Sequence, residues 1–238
     1  PSLQGGTDHS EVKSTTTTAA NKQPLTESAV PRLMHSSIQP VPSDAACSVH
    51  RLLPMPTFLS ANVQSVFIKR DELDTVIKNN NVDIACITES WLTKDVLTES
   101  VSIPGYVCHR HDREDGRRGG GVMCYVRENL PCVRLQELES TSVESLWLLF
   151  RANRMPRSVS HIAIGIIYHP PSADGRNAVT HILQSLDKIT HDHPHAGIVL
   201  LGDFNRLYDA AIVSFPLKQV VKCATRHNNV LDKIYTNI

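Results

Sequence analysis

The sequence lacks an excess of charge and any long apolar run, and each absence argues against a class of protein. Its 238 residues carry 24 Lys plus Arg against 24 Asp plus Glu. No global field therefore attracts nucleic acid or an anionic membrane, and any contact with nucleic acid needs a local basic patch. No apolar stretch reaches 18 residues and none opens the chain, so neither a membrane span nor a signal peptide is predicted. We expect a nuclear or cytoplasmic protein that is neither secreted nor membrane-bound.

The cysteines lack the spacing of a zinc site. None of the six forms a CxxC pair, and Cys86 and Cys124 lie inside apolar runs. Reduced and mostly buried thiols are the expected state.

Two other motifs look like ligand sites but lack the necessary context. Gly119-Gly120-Gly121 is followed neither by a GxxxxGK[ST] pattern nor by a helix start, so it predicts a flexible hairpin arm rather than a phosphate loop. His191, His193 and His195 alternate in a turn that contains Pro194. A solvated loop near a helix C-terminus is favoured there over a metal site.

Residues 1–56 contain no aromatic side chain, since the first one is Phe58. This segment holds seven of the fourteen prolines and the run Ser14-Thr15-Thr16-Thr17-Thr18. Such a composition buries too little apolar surface to offset the entropy of ordering. We predict a disordered Ser/Thr/Pro-rich tail over 1–56 and one domain over 57–238. A chain that starts with Pro1 rather than Met is expected to be a fragment or a processed product.

Short apolar runs alternate with amphipathic segments from residue 57 onward, which predicts an α/β fold. Helices are predicted at 69–78 and 178–190, and irregular structure at 104–118 and after 205. Strands are predicted at 58–62, 84–88, 122–126, 146–150, 161–168, 198–201, 218–221 and 230–235.

The stretch from Gly197 to Asn205 predicts a buried strand that runs into a sharp turn. Four apolar residues lie between Gly197 and Gly202, which is typical of a strand covered on both faces. Asp203 and Asn205 follow, and in an extended chain both side chains point the same way. Two interpretations stay open at this point: a functional site on a rigid strand end, or an Asx-turn that bonds local backbone.

Polar residues recur where the predicted apolar strands end. They are Asn62, Glu89, Tyr168, Asp203, Asn205 and Asp232. Each one alone has a structural explanation, such as a strand cap or a surface carboxylate. In a layered α/β fold, however, strand ends from one edge converge on a crevice. Carboxylates and amides are hard oxygen ligands suited to Mg²⁺, and such a group suits phosphoryl chemistry.

Eight short segments occur in an order that is typical of one superfamily. They are 60–66 with 69–73, 87–92, 104–106, 119–122, 144–147, 168–171, 202–205, and 225–226 with 231–232. Over these segments the region 57–238 resembles the endonuclease/exonuclease/phosphatase superfamily, and most of all the endonuclease domain of non-LTR retrotransposons.

The resemblance implies a four-layer α/β sandwich, with two packed sheets between outer helices, and Mg²⁺-dependent (or Mn²⁺-dependent) phosphodiester hydrolysis. It implies that Glu89 and Asn62 lie at the metal and that Tyr168 contacts the scissile phosphate. It further implies that Asp203 orients the attacking water, that Asn205 positions phosphate and water, and that Asp232 orients a catalytic histidine.

Double-stranded DNA is the partner that the resemblance implies, with a reverse transcriptase domain in the same chain where the full element is intact. The candidate contacts are Tyr106, Arg110, Arg113, Arg117 and Arg118, whose guanidinium groups suit phosphates. Asp112, Glu114 and Asp115 interleave with these arginines, so a solvated loop remains an alternative.

The sequence departs from the superfamily pattern at its end. The superfamily closes with a Ser-Asp-His strand, whereas the last histidine here is His227, ahead of Asp232. We therefore expect a C-terminally incomplete sandwich with an exposed pairing edge, and an inactive or strongly impaired enzyme. One alternative is a non-catalytic retroelement remnant that acts as a DNA-binding or interaction module. Another is a phosphatase of the same superfamily acting on a phosphoinositide or small phosphate.

Overall fold

The structure is a computed structural model that describes residues 55–151, 155 and 157–238. The prediction of a disordered tail over residues 1–56 falls almost wholly outside these residues. Within the described part of the chain, no helix combines the length and the apolar character that crossing a bilayer needs.

The first sheet has four strands and packs against one long helix. Its strands are β1 (Phe58–Asn62), β2 (Ile84–Thr88), β3 (Tyr106–His111) and β4 (Val122–Arg127). Their order is β1-β2-β4-β3, with β1 and β2 parallel and β4 antiparallel to both of its neighbours. Helix α1 (Val66–Asn79) covers the outer face and buries Val66, Leu73 and Ile77.

The second sheet has six strands and packs against a longer amphipathic helix. Its strands are β5 (Cys132–Arg134), β6 (Glu144–Phe150), β7 (His161–Tyr168), β8 (Ala196–Asp203), β9 (Lys218–Gln219) and β10 (Asp232–Thr236). Their order is β5-β6-β7-β8-β10-β9, and only β7 and β8 are parallel neighbours. Helix α2 (Gly175–Asp192) covers the outer face, and the short helix α3 (Ala210–Ser214) packs beside it.

Three apolar clusters separate four layers, in the order α1, first sheet, second sheet, α2. Strand β8 shows the alternation that builds them: Ile198 and Leu200 pack toward α2, whereas Val199 and Leu201 pack between the sheets. A strand covered on both faces must be apolar at every position, as this one is. The predicted α/β sandwich of four layers is confirmed.

The main difference from the predicted elements is a strand whose polar and charged residues predicted irregular structure. Residues predicted as an irregular, charged segment form β3, in which Cys108 packs outward toward α1 and His111 points toward the second sheet. The polar sequence obscures the alternation that marks a half-buried strand. Helix α2 begins earlier than predicted because Asp174 caps it, its carboxylate accepting a bond from the Arg176 N–H at 2.9 Å.

The described cysteines are free thiols, as expected. Cys86 and Cys124 are buried between the sheets with their sulfur atoms 4.0 Å apart. No cysteine of the described residues is in a disulfide.

Candidate active site

The site lies at one open end of the gap between the two sheets. Residues that point into this gap are apolar along β2, β4, β6, β7 and β8, but most of the strand-end positions on that edge are polar. In the first sheet these positions are aligned in register across four strands: Asn62, Thr88, Val122 and His111. In the second sheet a facing row is aligned in the same way: Glu144, Tyr168, Asp203 and Asp232. Two rows of strand ends therefore oppose each other, as the crevice prediction requires.

Asp203 joins the two rows. Its Oδ2 accepts a hydrogen bond from Asn62 Nδ2 at 2.8 Å, and its Oδ1 accepts one from the Asn205 N–H at 3.0 Å. Asn205, with φ of 46°, donates through Nδ2 to the His169 carbonyl at 2.8 Å. The Asx-turn is therefore present, and the same carboxylate also reaches across the gap. The two interpretations of this stretch do not exclude each other.

Glu89 follows β2 in a left-handed conformation, with φ of 56°. Its Oε2 accepts hydrogen bonds from Trp91 Nε1 at 2.6 Å and from the Gly120 N–H at 2.8 Å. Its Oε1 accepts a bond from the Tyr168 hydroxyl, which links Glu89 to the second sheet. Burial and then this bond to Glu89 raise the pKa of Tyr168, so the phenol stays protonated and acts as a donor.

The glycine run forms an arm that is anchored between two carboxylates. All three glycines have positive φ, and a Cβ on Gly120 would lie 2.4 Å from the Arg113 guanidinium. The Gly121 N–H donates to Glu144 Oε2 at 2.5 Å, and Arg113 Nε donates to Glu144 Oε1 at 2.8 Å. The Arg113 guanidinium also lies 5.8 Å from the centre of the Tyr168 ring. Glu144 and Arg113 thus hold the arm and the phenol in place.

Asp203 and Asp232 are partners in the antiparallel pair of β8 and β10. Burial raises the pKa of both carboxyl groups, and the nearby charge of Asp232 adds to the rise at Asp203. Bonds from Asn62 and Asn205 partly offset the rise at Asp203. Asp203 is therefore a stronger base than an ordinary aspartate, which suits a group that holds an attacking water.

The donor set suits Mg²⁺ or Mn²⁺ held partly by substrate. Asn62 Oδ1 and Thr88 Oγ1 are buried, adjacent in register and without a hydrogen-bond partner in the part of the chain described. No three His, Cys, Asp or Glu side chains among the described residues form a metal cluster. Mg²⁺ is commonly bound through one or two carboxylates together with phosphate oxygens. Glu89 and Asn62 offer the hard oxygens for that kind of site.

The five candidate DNA contacts fall into two groups. Tyr106 is buried and donates to the Val82 carbonyl at 2.6 Å. Arg110 donates to the Val96 carbonyl at 2.7 Å and pairs with an aspartate, whereas Arg113 pairs with a glutamate. A phosphate would have to displace these internal bonds, which support the fold, and DNA contact at these three residues stays a prediction.

Arg117 and Arg118 form the second, exposed group of candidate DNA contacts. Arg117 is paired with Asp115. The Arg118 guanidinium lies 5.5 Å from the centre of the Trp91 ring, beside Glu89. Of the five predicted DNA contacts, Arg117 and Arg118 are therefore the two whose side chains are exposed to a DNA backbone.

Sequence reasoning assigned no role to four residues of the site. They are Thr88, Trp91, His111 and Glu144, of which His111 lies in the segment predicted as a loop. Thr88 is the last residue of β2 and Glu144 is the first residue of β6, and both side chains face the gap between the sheets. Because side chains alternate between the two faces of a strand, correct strand boundaries would have predicted this orientation. His111 donates from Nδ1 to the Ser145 carbonyl at 2.7 Å across the gap, a contact between distant segments that no local pattern predicts.

Comparison with known proteins identifies the family. The model of the Endonuclease/Exonuclease/phosphatase family matches residues 59–237 of the chain. The chain belongs to this family. No curated protein sequence gives a significant match to the chain. Members of the endonuclease/exonuclease/phosphatase family generally use divalent metal ions, in keeping with the oxygen donors at Glu89 and Asn62.

Solved structures of family members share the fold at low sequence identity. The endonuclease domain of TRAS1, a telomere-specific non-LTR retrotransposon, is 14% identical with a TM-score of 0.54; the match covers 76% of this chain and 84% of that one. The catalytic domain of human Nocturnin is 16% identical with a TM-score of 0.54, and the match covers 76% and 82%. Humanized D. rerio TDP2 is 12% identical with a TM-score of 0.51, and the match covers 75% and 80%. At these identities the likeness shows the fold alone.

The raised pKa of Asp232 gives a testable dependence of stability on pH. A carboxyl group whose pKa is raised by folding adds stability in its protonated form, and this contribution is lost as the pH rises through the raised value. We expect Asp232→Asn to have a larger free energy of unfolding than the wild type at pH 7. The difference should shrink as the pH falls toward about 4, the ordinary range of an aspartate. Urea denaturation across this pH range measures it.

Asp95→Asn makes the same change at an exposed position and controls for the loss of one charge. A gain at Asp232 that stayed constant with pH would contradict the assigned burial of its charge.

Proposed function

We propose that this chain is a divalent-metal-dependent phosphodiesterase of the retrotransposon endonuclease type, acting on double-stranded DNA. The observation that carries the proposal is the register alignment of Tyr168, Asp203 and Asp232 in one sheet opposite Asn62 in the other. This alignment gathers a phenol, two carboxylates and an amide at one open strand edge. The TRAS1 endonuclease domain has the same fold, and a reverse transcriptase domain in the same chain is part of the proposal.

Each site residue has a chemical role in this reaction. Asp203 holds the attacking water and accepts its proton, since hydrogen bonds from Asn62 and from the Asn205 N–H fix its carboxylate at the open strand edge. Asn205 and Asn62 hold Asp203 and the substrate phosphate in place. Glu89 and Asn62 would hold the metal, which when bound polarises a phosphate oxygen and steadies the leaving group. The Tyr168 hydroxyl donates a hydrogen bond to Glu89 and would lie beside the bound phosphate.

Protonation of the leaving oxygen completes the reaction. No histidine side chain in the described residues forms a hydrogen bond with Asp203 or Asp232. Within these residues, the departing alkoxide would take its proton from solvent water.

Nicking of supercoiled plasmid tests the proposed function. The chain should convert supercoiled to open-circular DNA with Mg²⁺ or Mn²⁺ and fail to do so with EDTA. Glu89→Gln should slow nicking by about 100-fold or more, because the amide cannot replace a charged metal ligand. Glu128→Gln, an exposed change beyond the far end of β4, should leave the rate unchanged.

The same preparation separates the other candidate functions. Hydrolysis of a soluble phosphomonoester without plasmid nicking would overturn the proposal in favour of a phosphatase. DNA binding with neither activity would indicate a non-catalytic module.

A further inference from the structure

The two flanks of the site differ in charge. On one flank, the β3–β4 loop, the segment before β6 and the start of α2 line a cleft that includes Tyr168. Five carboxylates line it, against two guanidinium groups that are each already paired with one of them, and Arg110 pairs with a third carboxylate from outside the cleft. The carboxylates are Asp112, Glu114, Asp115, Glu144 and Asp174. A polyanionic strand is repelled from such a surface.

The opposite flank carries two exposed arginines and an exposed aromatic ring. Arg206 and Arg226 are exposed and take part in no ion pair among the described residues. Asp209 is paired with Lys233 at 2.5 Å, and the charge of Arg226 offsets part of the rise in pKa at Asp203 and Asp232, although neither carboxylate forms an ion pair with it. Tyr208 projects from the loop that follows Asn205 with 82% of its surface exposed. Packing does not explain so exposed a ring two residues after Arg206.

We propose that the substrate strand leaves the site over Arg206, Tyr208 and Arg226 and away from the acidic cleft, with Tyr208 stacking on a nucleobase of that strand that is not paired. This path rests on the proposed function, since it presupposes a nucleic-acid substrate bound at the site. Arginine suits phosphate without selecting sequence, and an aromatic face stacks on any base. A small phosphomonoester without a nucleobase has no ring to stack on Tyr208.

The length of the loop allows these contacts. Tyr208 is five residues from Asp203, and five extended residues span at most about 18 Å. Phosphates of a duplex strand follow one another every 3.4 Å or so. Tyr208 therefore lies within about five nucleotides of a phosphate bound at Asp203.

Binding of fluorescein-labelled oligonucleotides to the full 238-residue chain, followed by anisotropy, tests the path. Arg206→Ala and Arg226→Ala should each weaken duplex binding and reduce the slope of log K against log salt by about 0.9. Arg157→Ala is the matched control, since Arg157 is exposed and precedes β7 at the end away from Tyr168. Seven residues of β7 separate that end from the site, or about 23 Å, so this variant should leave the slope unchanged.

Tyr208 is tested with a single-stranded oligonucleotide, whose bases are free to stack. Tyr208→Ala should weaken binding by about 5- to 100-fold, whereas Tyr208→Phe keeps the ring and should bind within about twofold of the wild type. Equal effects of Arg206→Ala and Arg157→Ala, or no loss with Tyr208→Ala, would overturn the path while leaving the proposed hydrolysis intact. Failure of the wild type to bind DNA would overturn both.

Discussion

Asp203→Asn should reduce the rate of DNA hydrolysis by about 1,000-fold or more. Asparagine has the shape of aspartate but cannot accept the proton of the attacking water, and a group acting as general base commonly contributes 10²- to 10⁴-fold. In the structure Asp203 is the residue that links the strand-end rows of both sheets, and burial raises its pKa. Single-turnover nicking with protein in excess over plasmid measures the loss.

Asp203→Asn should not weaken the binding of DNA. The substitution removes a buried negative charge beside the expected phosphate, so affinity for uncleaved DNA should stay the same or increase. Asp187→Asn, on the exposed face of α2, controls for charge and should change neither quantity. If Asp203→Asn retained more than about a tenth of the wild-type rate, Asp203 would not be the base.

Gly202→Ala should destabilise the fold by about 4 kcal/mol or more, which is a large part of the stability of a typical domain. Gly202 has φ of 135°, and a Cβ there would lie 2.0 Å from the Ile167 carbonyl oxygen. That oxygen belongs to the paired backbone of β7, which cannot move without breaking the β7–β8 ladder. The free energy of unfolding in urea, followed by circular dichroism, measures the effect.

Gly116→Ala is the matched control for the backbone alone. Gly116 has φ of 74°, but nothing lies within 4 Å of the added Cβ. Its replacement should cost about 1–2 kcal/mol, the ordinary penalty for a left-handed alanine. Equal losses at the two positions would mean that the close approach of β7 and β8 at Gly202 is not real. Because Gly202 precedes Asp203, this contact also sets where the base sits.

Local patterns in the sequence were sufficient for the buried strands and for the order of the polar strand ends. The apolar run Ile198–Leu201 predicts a strand with both faces covered, and the structure has it in β8. The amphipathic spacing of α2 is equally local, since side chains three and four residues apart share one helix face. Alternation and helical periodicity act over a few residues, so a sequence without its partners still reveals them.

The tertiary structure decided which strand ends face each other and which charges remain free. Arg110 and Arg206 are both arginines in polar segments, yet one is bonded inside the protein and the other is exposed. Asn62 and Asp203 are 141 residues apart in the chain. They meet because the ends of strands β1 and β8, in the two packed sheets, lie at the same open edge. The sequence by itself determined most of the buried strands and the chemical groups at their ends. Their convergence came from strand pairing and sheet packing, which depend on contacts between distant segments that no local pattern contains.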